Sequence, residues 1–441
     1  MNILFVSLGC DKNLVDSEHM LGDLIDQGFS ICDSEEDADI IVVNTCSFIA
    51  DAMEESIQNI IDLGAYKKNG KLLGLIVTGC LAQRFTDDIL SELPEVDAII
   101  GTNSYDELVN AINIVLEKNG RKPVFKKDFK GLPKNGRRVL TTGGHFAYLK
   151  IAEGCNKRCT YCIIPYIRGD YRSVPMEELL AEANQLANDG VKELIIVAQE
   201  TTLYGLDLYG HKALPELLHK LCSIDGIEWI RLLYAYPEEI TPELIDCMAS
   251  EPKICHYIDM PIQHCNDEIL RKMGRKTDKA DILRIVGDLR TAMPDIALRT
   301  TLICGFPGET EEAHKELLDF IKEVSFDRLG SFAYSKEEGT VAATWPDQVD
   351  DSLKEKWVDQ VMTLQKEISL GNNQSYIGRR LKVFIEGKLP EDGVYIGRTY
   401  RDTPSVDGFI FVNSDRELVT GQFVDVDVTG FDEYDLIGDL V

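Results

Sequence analysis

Short apolar, β-branched runs at 2–7, 39–44, 73–78 and 97–100 punctuate the first quarter of the chain. Each precedes a stretch whose apolar residues recur every three or four positions, as at 13–27 and 50–66, the spacing that lines one face of a helix. Alternating strands and helices predict a doubly wound parallel α/β domain over 1–118, because a parallel connection crosses over through a helix. The same alternation returns over 141–371, with strand candidates at 147–151, 193–198, 229–233, 256–260, 297–303 and 328–333 and helical stretches such as 176–189, 242–250 and 310–324. Six βα units predict a partial (β/α)6 barrel. After a long helical stretch at 351–371 the texture changes to short alternating runs at 381–386, 393–399, 408–412 and 421–429, bounded by Gly, Pro and Asp. Such runs predict a small antiparallel, OB-like β-barrel over 376–441.

Between the first two regions, 119–140 reads as a basic linker. From 118 to 138 there are nine Lys/Arg and one Asp, interspersed with Gly120, Pro123, Gly131, Pro133 and Gly136, a composition that argues against a regular element. A solvated connector is the expected role, with RNA contact the alternative.

Composition narrows the class. Hydrophobic residues make up 44% and charged residues 27% of 441, ordinary globular proportions that exclude global disorder. The first apolar run lacks a basic leader and is too short for a signal peptide, and no segment approaches the ~20 apolar residues of a membrane span. A cytoplasmic protein without membrane attachment is expected. There, the twelve cysteines stay reduced, so clustered ones are metal ligands or reactive thiols. The net charge of −29 repels a phosphate backbone and attracts a basic macromolecule.

Two cysteine groups stand out. Cys10, Cys46 and Cys80 each fall just past one of the first three predicted strands. In an open parallel sheet the loops at the carboxyl ends form the ligand crevice, so separations of 36 and 34 residues become short distances and a shared metal site is expected. Cys155, Cys159 and Cys162, following the first barrel strand, have the spacing C-x3-C-x2-C. Three thiols can hold one iron–sulfur cluster and leave an iron open to a substrate or cofactor, whereas zinc and ferredoxin sites want a fourth protein ligand. Cys32, Cys222, Cys247, Cys255, Cys265 and Cys304 lack such spacing and read as packed hydrophobes, with Cys265 beside His264 the one to watch.

The C-x3-C-x2-C motif, with aromatic Tyr161 before its last cysteine, resembles the signature of the radical S-adenosylmethionine enzymes. That resemblance implies an open iron chelated by the methionine part of S-adenosylmethionine, one-electron cleavage of a carbon–sulfur bond, and a 5′-deoxyadenosyl radical. It places Tyr161 near the adenine and cofactor contacts at later strand ends: Gln199 and Glu200, where the superfamily often has a Gly-rich segment, then Arg231, Gln263, Arg299 and Gly305. The whole arrangement is similar to the methylthiotransferases, with 376–441 matching their TRAM module. The family resemblance implies two [4Fe–4S] clusters, one on Cys10, Cys46 and Cys80 that binds an inorganic or cluster-bound sulfur co-substrate, together with an external electron donor.

Within that family, SLGCDKNLVDSE (7–18), NTCSFIADA (44–52) and MPIQH (260–264) look like the branch that modifies the β-carbon of an aspartate in small-subunit ribosomal protein S-twelve. The other branch modifies an adenosine of tRNA. Over 376–441 there are 7 Lys/Arg and 13 Asp/Glu, net −6, the wrong sign for a phosphate-binding module. Basic ribosomal protein S-twelve, free or ribosome-bound, is therefore the expected partner, and tRNA the less favoured one. A third reading is a non-catalytic iron–sulfur or zinc scaffold.

Overall fold

The computed structural model describes residues 1–69, 71–117, 120–134, 136–390 and 393–441. The chain divides into two compact units, the first made of 1–143, 152–174 and 337–340 and the second of 144–151, 175–336 and 341–441.

In the first unit, β1 (Asn2–Ser7), β2 (Ser30–Cys32), β3 (Ile40–Thr45), β4 (Gly74–Gly79), β5 (Ala98–Ile100) and β6 (Val124–Phe125) form one parallel sheet in the order β2-β1-β3-β4-β5-β6. Successive residues of a strand point to opposite faces. Thus Ile41, Val43, Leu75 and Val77 enter one core, while Ile40, Val42, Ile76 and Ala98 enter another. That division explains why these strands are apolar throughout rather than alternating.

Sequence periodicity missed two of these strands. β2 is three residues with an exposed outer row, too short to register as a run. β6 lies inside the expected linker, pairing Ile99 with Val124 and Ile100 with Phe125. Most of the basic segment is exposed to solvent, and it is anchored at a few points. Lys127 pairs with Asp106 and Glu107 at 2.9 and 2.8 Å, and Arg138 reaches the fully buried carboxylate of Glu18 at 2.6 Å.

The second unit carries β7 (Phe146–Lys150), while β8 (Ala152–Glu153) and β9 (Arg172–Ser173) pair in the first. β7 continues into β10 (Glu193–Val197), β11 (Trp229–Leu232), β12 (Ile254–Asp259), β13 (Ala297–Cys304) and β14 (Arg328–Ala333), all parallel and adjacent in chain order. Sequential order is what repeated right-handed βα units produce, and the expected six-unit partial barrel is observed.

The C-terminal strands β15 (Arg380–Lys388), β16 (Val394–Arg398), β17 (Ile410–Asn413), β18 (Phe423–Phe431) and β19 (Leu436–Leu440) close into a barrel around Leu381, Val383, Tyr395, Ile410, Val426 and Val428. The barrel is not wholly antiparallel. β17 pairs with β19 in parallel, and β19, its fifth strand, has Gly438 and exposed Asp439 in place of a regular apolar alternation.

Within this unit the barrel is fastened to the parallel sheet by buried charges. Glu193 on β10 is fully buried between Arg231 on β11, at 2.8 Å, and Arg398 on β16, at 2.6 Å. Arg231 also donates to the Tyr400 carbonyl at 2.6 Å, and Arg328 pairs with Asp402. Removing one partner of such a set strands the others in a dry environment, which costs ~3–5 kcal/mol. Glu193→Ala should lower the unfolding free energy of the transition that includes the β-barrel by an amount of this size, read as a lower midpoint in urea. A midpoint equal to wild type would show that the set contributes no net stability.

Candidate functional site: two cysteine loops

The order β2-β1-β3-β4 places the point where strand order reverses at β1 and β3. Loops leaving the carboxyl ends of those two strands diverge and open a crevice. Cys10 follows β1 and caps α1 (Asp11–Asp26); Cys46 immediately follows β3; Cys80 follows β4 as the first residue of α2 (Cys80–Arg84). All three expected ligands therefore stand at one sheet edge.

Asn13, on the first turn of α1 and fully buried, ties these loops together. Its amide donates to the carbonyls of Leu8 and Thr45 at 3.1 and 3.0 Å, and its Oδ1 accepts from Cys80 Sγ at 3.8 Å. Gly9 has φ +93°, and a Cβ there would lie 2.9 Å from that of Cys46, so the first two loops touch without room for a side chain. The thiols sense one another. Burial pushes the Cys46 thiol up, with Cys10 adding to the effect, and burial pushes Cys80 up to about 12 against the pull of Arg168. Cationic irons would reverse that balance by taking the thiolates.

The second loop is closed by the two-residue pair β8–β9, with Ala152 opposite Ser173 and Glu153 opposite Arg172. Cys155 donates its N–H to the Gly169 carbonyl at 3.1 Å and Cys162 donates to Cys159 at 3.0 Å, which curls the three cysteines around one turn. Gly154 (φ +80°) lies against the Asp170 carbonyl, where a Cβ could not fit, and Arg158 takes a left-handed conformation at φ +50°. Cys155 and Cys159 are buried and Cys162 and Tyr161 half-buried. Among the described residues no three His, Cys, Asp or Glu side chains converge on a point that would hold a single metal ion. A polynuclear cluster asks for something else, one thiolate per iron with the sulfurs held apart.

Sequence reasoning missed what surrounds Cys80. α3 (Ile164–Arg168) ends in Arg168, six residues beyond the motif, whose guanidinium is only 2% exposed. It pairs with Asp16 at 2.8 Å and Glu153 at 2.9 Å, hydrogen-bonds Asn13, and donates to Cys80 Sγ at 3.6 Å. The sequence did hold a signal. Lys12, Asn13, Asp16, Ser17, Glu18 and His19 are all buried, so α1 turns polar residues inward on a scale that a merely structural helix avoids.

In the second unit Gln199 and Glu200 follow β10 and Gln263 follows β12, at carboxyl ends as expected. Gln263 sits at φ +70° between the β13 residues Thr301 and Ile303, to which its backbone is bonded. Arg231 and Arg299 are corrections. Arg231 is fully buried with its donors on Glu193, Tyr400 and Thr399, and Arg299, third in β13, pairs with Asp259 and Asp407 at 2.6 and 3.4 Å. Both guanidiniums are engaged at the contact with the C-terminal barrel. At Gly305 the N–H is also engaged: it and the Phe306 N–H donate to Glu309 Oε2 at 2.6 and 3.1 Å. The remaining cysteines behave as packed hydrophobes, with Cys265 and Cys304 fully buried and Cys32 half-buried.

Comparison with known proteins follows the same division. The model of the radical SAM superfamily matches 149–321, that of the uncharacterized protein family UPF0004 matches 2–101, and the TRAM domain matches 377–441. A radical S-adenosylmethionine methyltransferase, TsrM, from Kitasatospora setae shares the fold at a TM-score of 0.54 and 14% identity, covering 95% of this chain and 81% of that one. That likeness is one of fold. Proteins named ribosomal protein uS12 methylthiotransferase RimO are 58% identical in Lachnoclostridium phytofermentans and 50% in Acetivibrio thermocellus, each over 99% of this chain and 99% and 97% of those proteins. One from Clostridioides difficile is 48% identical over the whole of this chain and 99% of its own length. The chain belongs to the RimO family of methylthiotransferases.

Glu309 makes a pH prediction. Burial opposes its charge, but hydrogen bonds from His264 and His314 and the Gly305 N–H outweigh it and bring the carboxyl from 4.5 to about 2. A lowered carboxyl stabilises the fold fully above the unfolded value and progressively less as pH falls towards the folded one. That contribution is about 3 kcal/mol. The stability advantage of wild type over Glu309→Gln should be constant above pH 4.5 and shrink towards pH 2, as read by chemical unfolding at each pH. A difference independent of pH would refute the assignment.

Proposed function

We propose that this enzyme methylthiolates the β-carbon of an aspartate in ribosomal protein S-twelve, the uS12 of its relatives' names, in the cytoplasm, using two [4Fe–4S] clusters. The observation that carries this reading is the pairing of two three-cysteine loops in a chain alike over its full length to proteins named for that activity. Cys155, Cys159 and Cys162 would hold one cluster and Cys10, Cys46 and Cys80 the other, each with three thiolates and hence one open iron. When bound, the clusters and S-adenosylmethionine supply reductive carbon–sulfur cleavage and a reactive sulfur. An electron donor and an inorganic or cluster-bound sulfur source complete the reaction.

The chain's own residues supply geometry. Asn13 fixes the first loop set, and the β8–β9 pair fixes the second. Tyr161, beside the last cysteine of the motif, would face the adenine, and Gln199, Glu200 and Gln263, at strand carboxyl ends, would contact the remainder of S-adenosylmethionine, with the turn at Gly305 bordering it. Residues 1–118 would then form the sulfur-donating domain, 141–371 the radical domain and 376–441 the substrate-binding TRAM domain. Electrostatics support a basic protein partner. Over 376–441 the 7 Lys/Arg and 13 Asp/Glu leave a net −6, and two of the cations, Arg398 and Arg401, are buried in ion pairs. A net negative module favours a basic protein over tRNA.

Reconstituted enzyme given S-adenosylmethionine, reductant, a sulfide source and uS12 should add one methylthio group, read by mass spectrometry. Modification of tRNA and not of the protein would overturn the substrate. Cys159→Ala should abolish 5′-deoxyadenosine formation, while Cys46→Ala should retain much of it and lose sulfur insertion. Equal loss of both activities in the two variants would contradict separate roles for the loops.

A further inference from the structure

Arg168 donates to a thiol of the first loop set, and its other side-chain partners are two carboxylates and an amide oxygen. A buried arginine between two carboxylates is commonly a staple of the fold, worth little beyond the cost of breaking it. Three features here go further. The guanidinium donates to Cys80 Sγ at 3.6 Å. It also bonds Asn13, the residue that aligns the loops of Cys10 and Cys46. Its carboxylate partners come from both cysteine regions: Asp16 lies on the helix that Cys10 caps, and Glu153 lies two residues before Cys155.

We propose that Arg168 is a positioning residue that sets the reduction potential of the cluster on Cys10, Cys46 and Cys80, through its charge and its hydrogen bond to Cys80; this rests on the two-cluster reading above. Hydrogen bonds to cluster sulfurs and nearby positive charge favour the reduced, more negative state. Asp16 and Glu153 work against that effect, so the potential reflects a buried set of one cation and two anions. The set is closed to water, because Arg168, Asp16 and Glu153 are all buried, and charges in such surroundings are weakly screened. Arg168 is thereby the handle by which the cluster that carries sulfur is kept at a potential different from the one that cleaves S-adenosylmethionine. In this role Arg168 does not touch substrate.

The test uses the full chain with Cys155, Cys159 and Cys162 changed to Ala, so that one cluster is read alone. After anaerobic reconstitution, iron is counted and the midpoint potential is measured by EPR-monitored titration. About four irons are expected in this parent. If it holds no cluster, the two-cluster reading itself fails, before any Arg168 variant is made. Given a loaded parent, Arg168→Gln should shift the midpoint to more negative values, Arg168→Lys should recover most of the shift, and Asp16→Asn should move it the opposite way. A staple of the fold predicts no such opposition of sign. Unchanged midpoints, or shifts of the same sign in Arg168→Gln and Asp16→Asn, would overturn the proposal. Should Arg168→Gln fail to load iron, the opposed shift in Asp16→Asn with a near-parent midpoint in Arg168→Lys sustains it, and the lack of either ends it.

Discussion

One buried amide holds the first cysteine set in register. Asn13 bonds the carbonyls that precede Cys10 and Cys46 and meets Cys80 with its oxygen, so loops from three strands are fixed by a side chain on the helix that the first of them starts. The geometry is available only because the sheet is parallel and its order reverses between β1 and β3. An antiparallel sheet would have sent alternate loops to opposite edges. The close approach at Gly9 and the inward polar face of α1 follow from the same need to bring loops, helix and thiols into one crevice.

The second unit solves a different problem. Its strand ends must stay open for a cofactor, so the C-terminal barrel is attached through residues that lie within the strands and face it. Glu193, Arg231, Arg299 and Arg328 do this with Arg398, Asp402 and Asp407. Arg231 and Arg299, charges on otherwise uncharged strands, look like cofactor contacts when read along the chain. In space they are the attachment, and the strand-end residues Gln199, Glu200 and Gln263 are left at the carboxyl edge.

Fold alone would not have decided the chemistry. A methyltransferase at 14% identity has the same architecture over most of its length, and one scaffold hosts many reactions. Beside the C-x3-C-x2-C loop, this chain carries three further thiols, Cys10, Cys46 and Cys80, at the carboxyl edge of a separate sheet. Two sets with three ligands each, rather than one set with four, is the arrangement that leaves metal positions open for chemistry.

Much of this was legible in the chain itself. Residue spacing determined the alternation of strands and helices, the partial barrel, the C-terminal β-module and both cysteine sets, since periodicity and short-range motifs are local properties. The tertiary structure decided the rest. β6 needed a neighbouring strand to exist as a strand, and the basic segment needed Glu18, Asp106 and Glu107 to anchor it at points along its exposed course. Arg231 and Arg299 read as cofactor contacts along the chain because nothing in their local sequence reveals partners more than a hundred residues away in the β-barrel. Arg168 escaped notice for the same reason: its meaning lies in Asp16 and Cys80, which only folding brings to it. Burial turns a distant charge into a strong partner, and burial is a property of the packed chain.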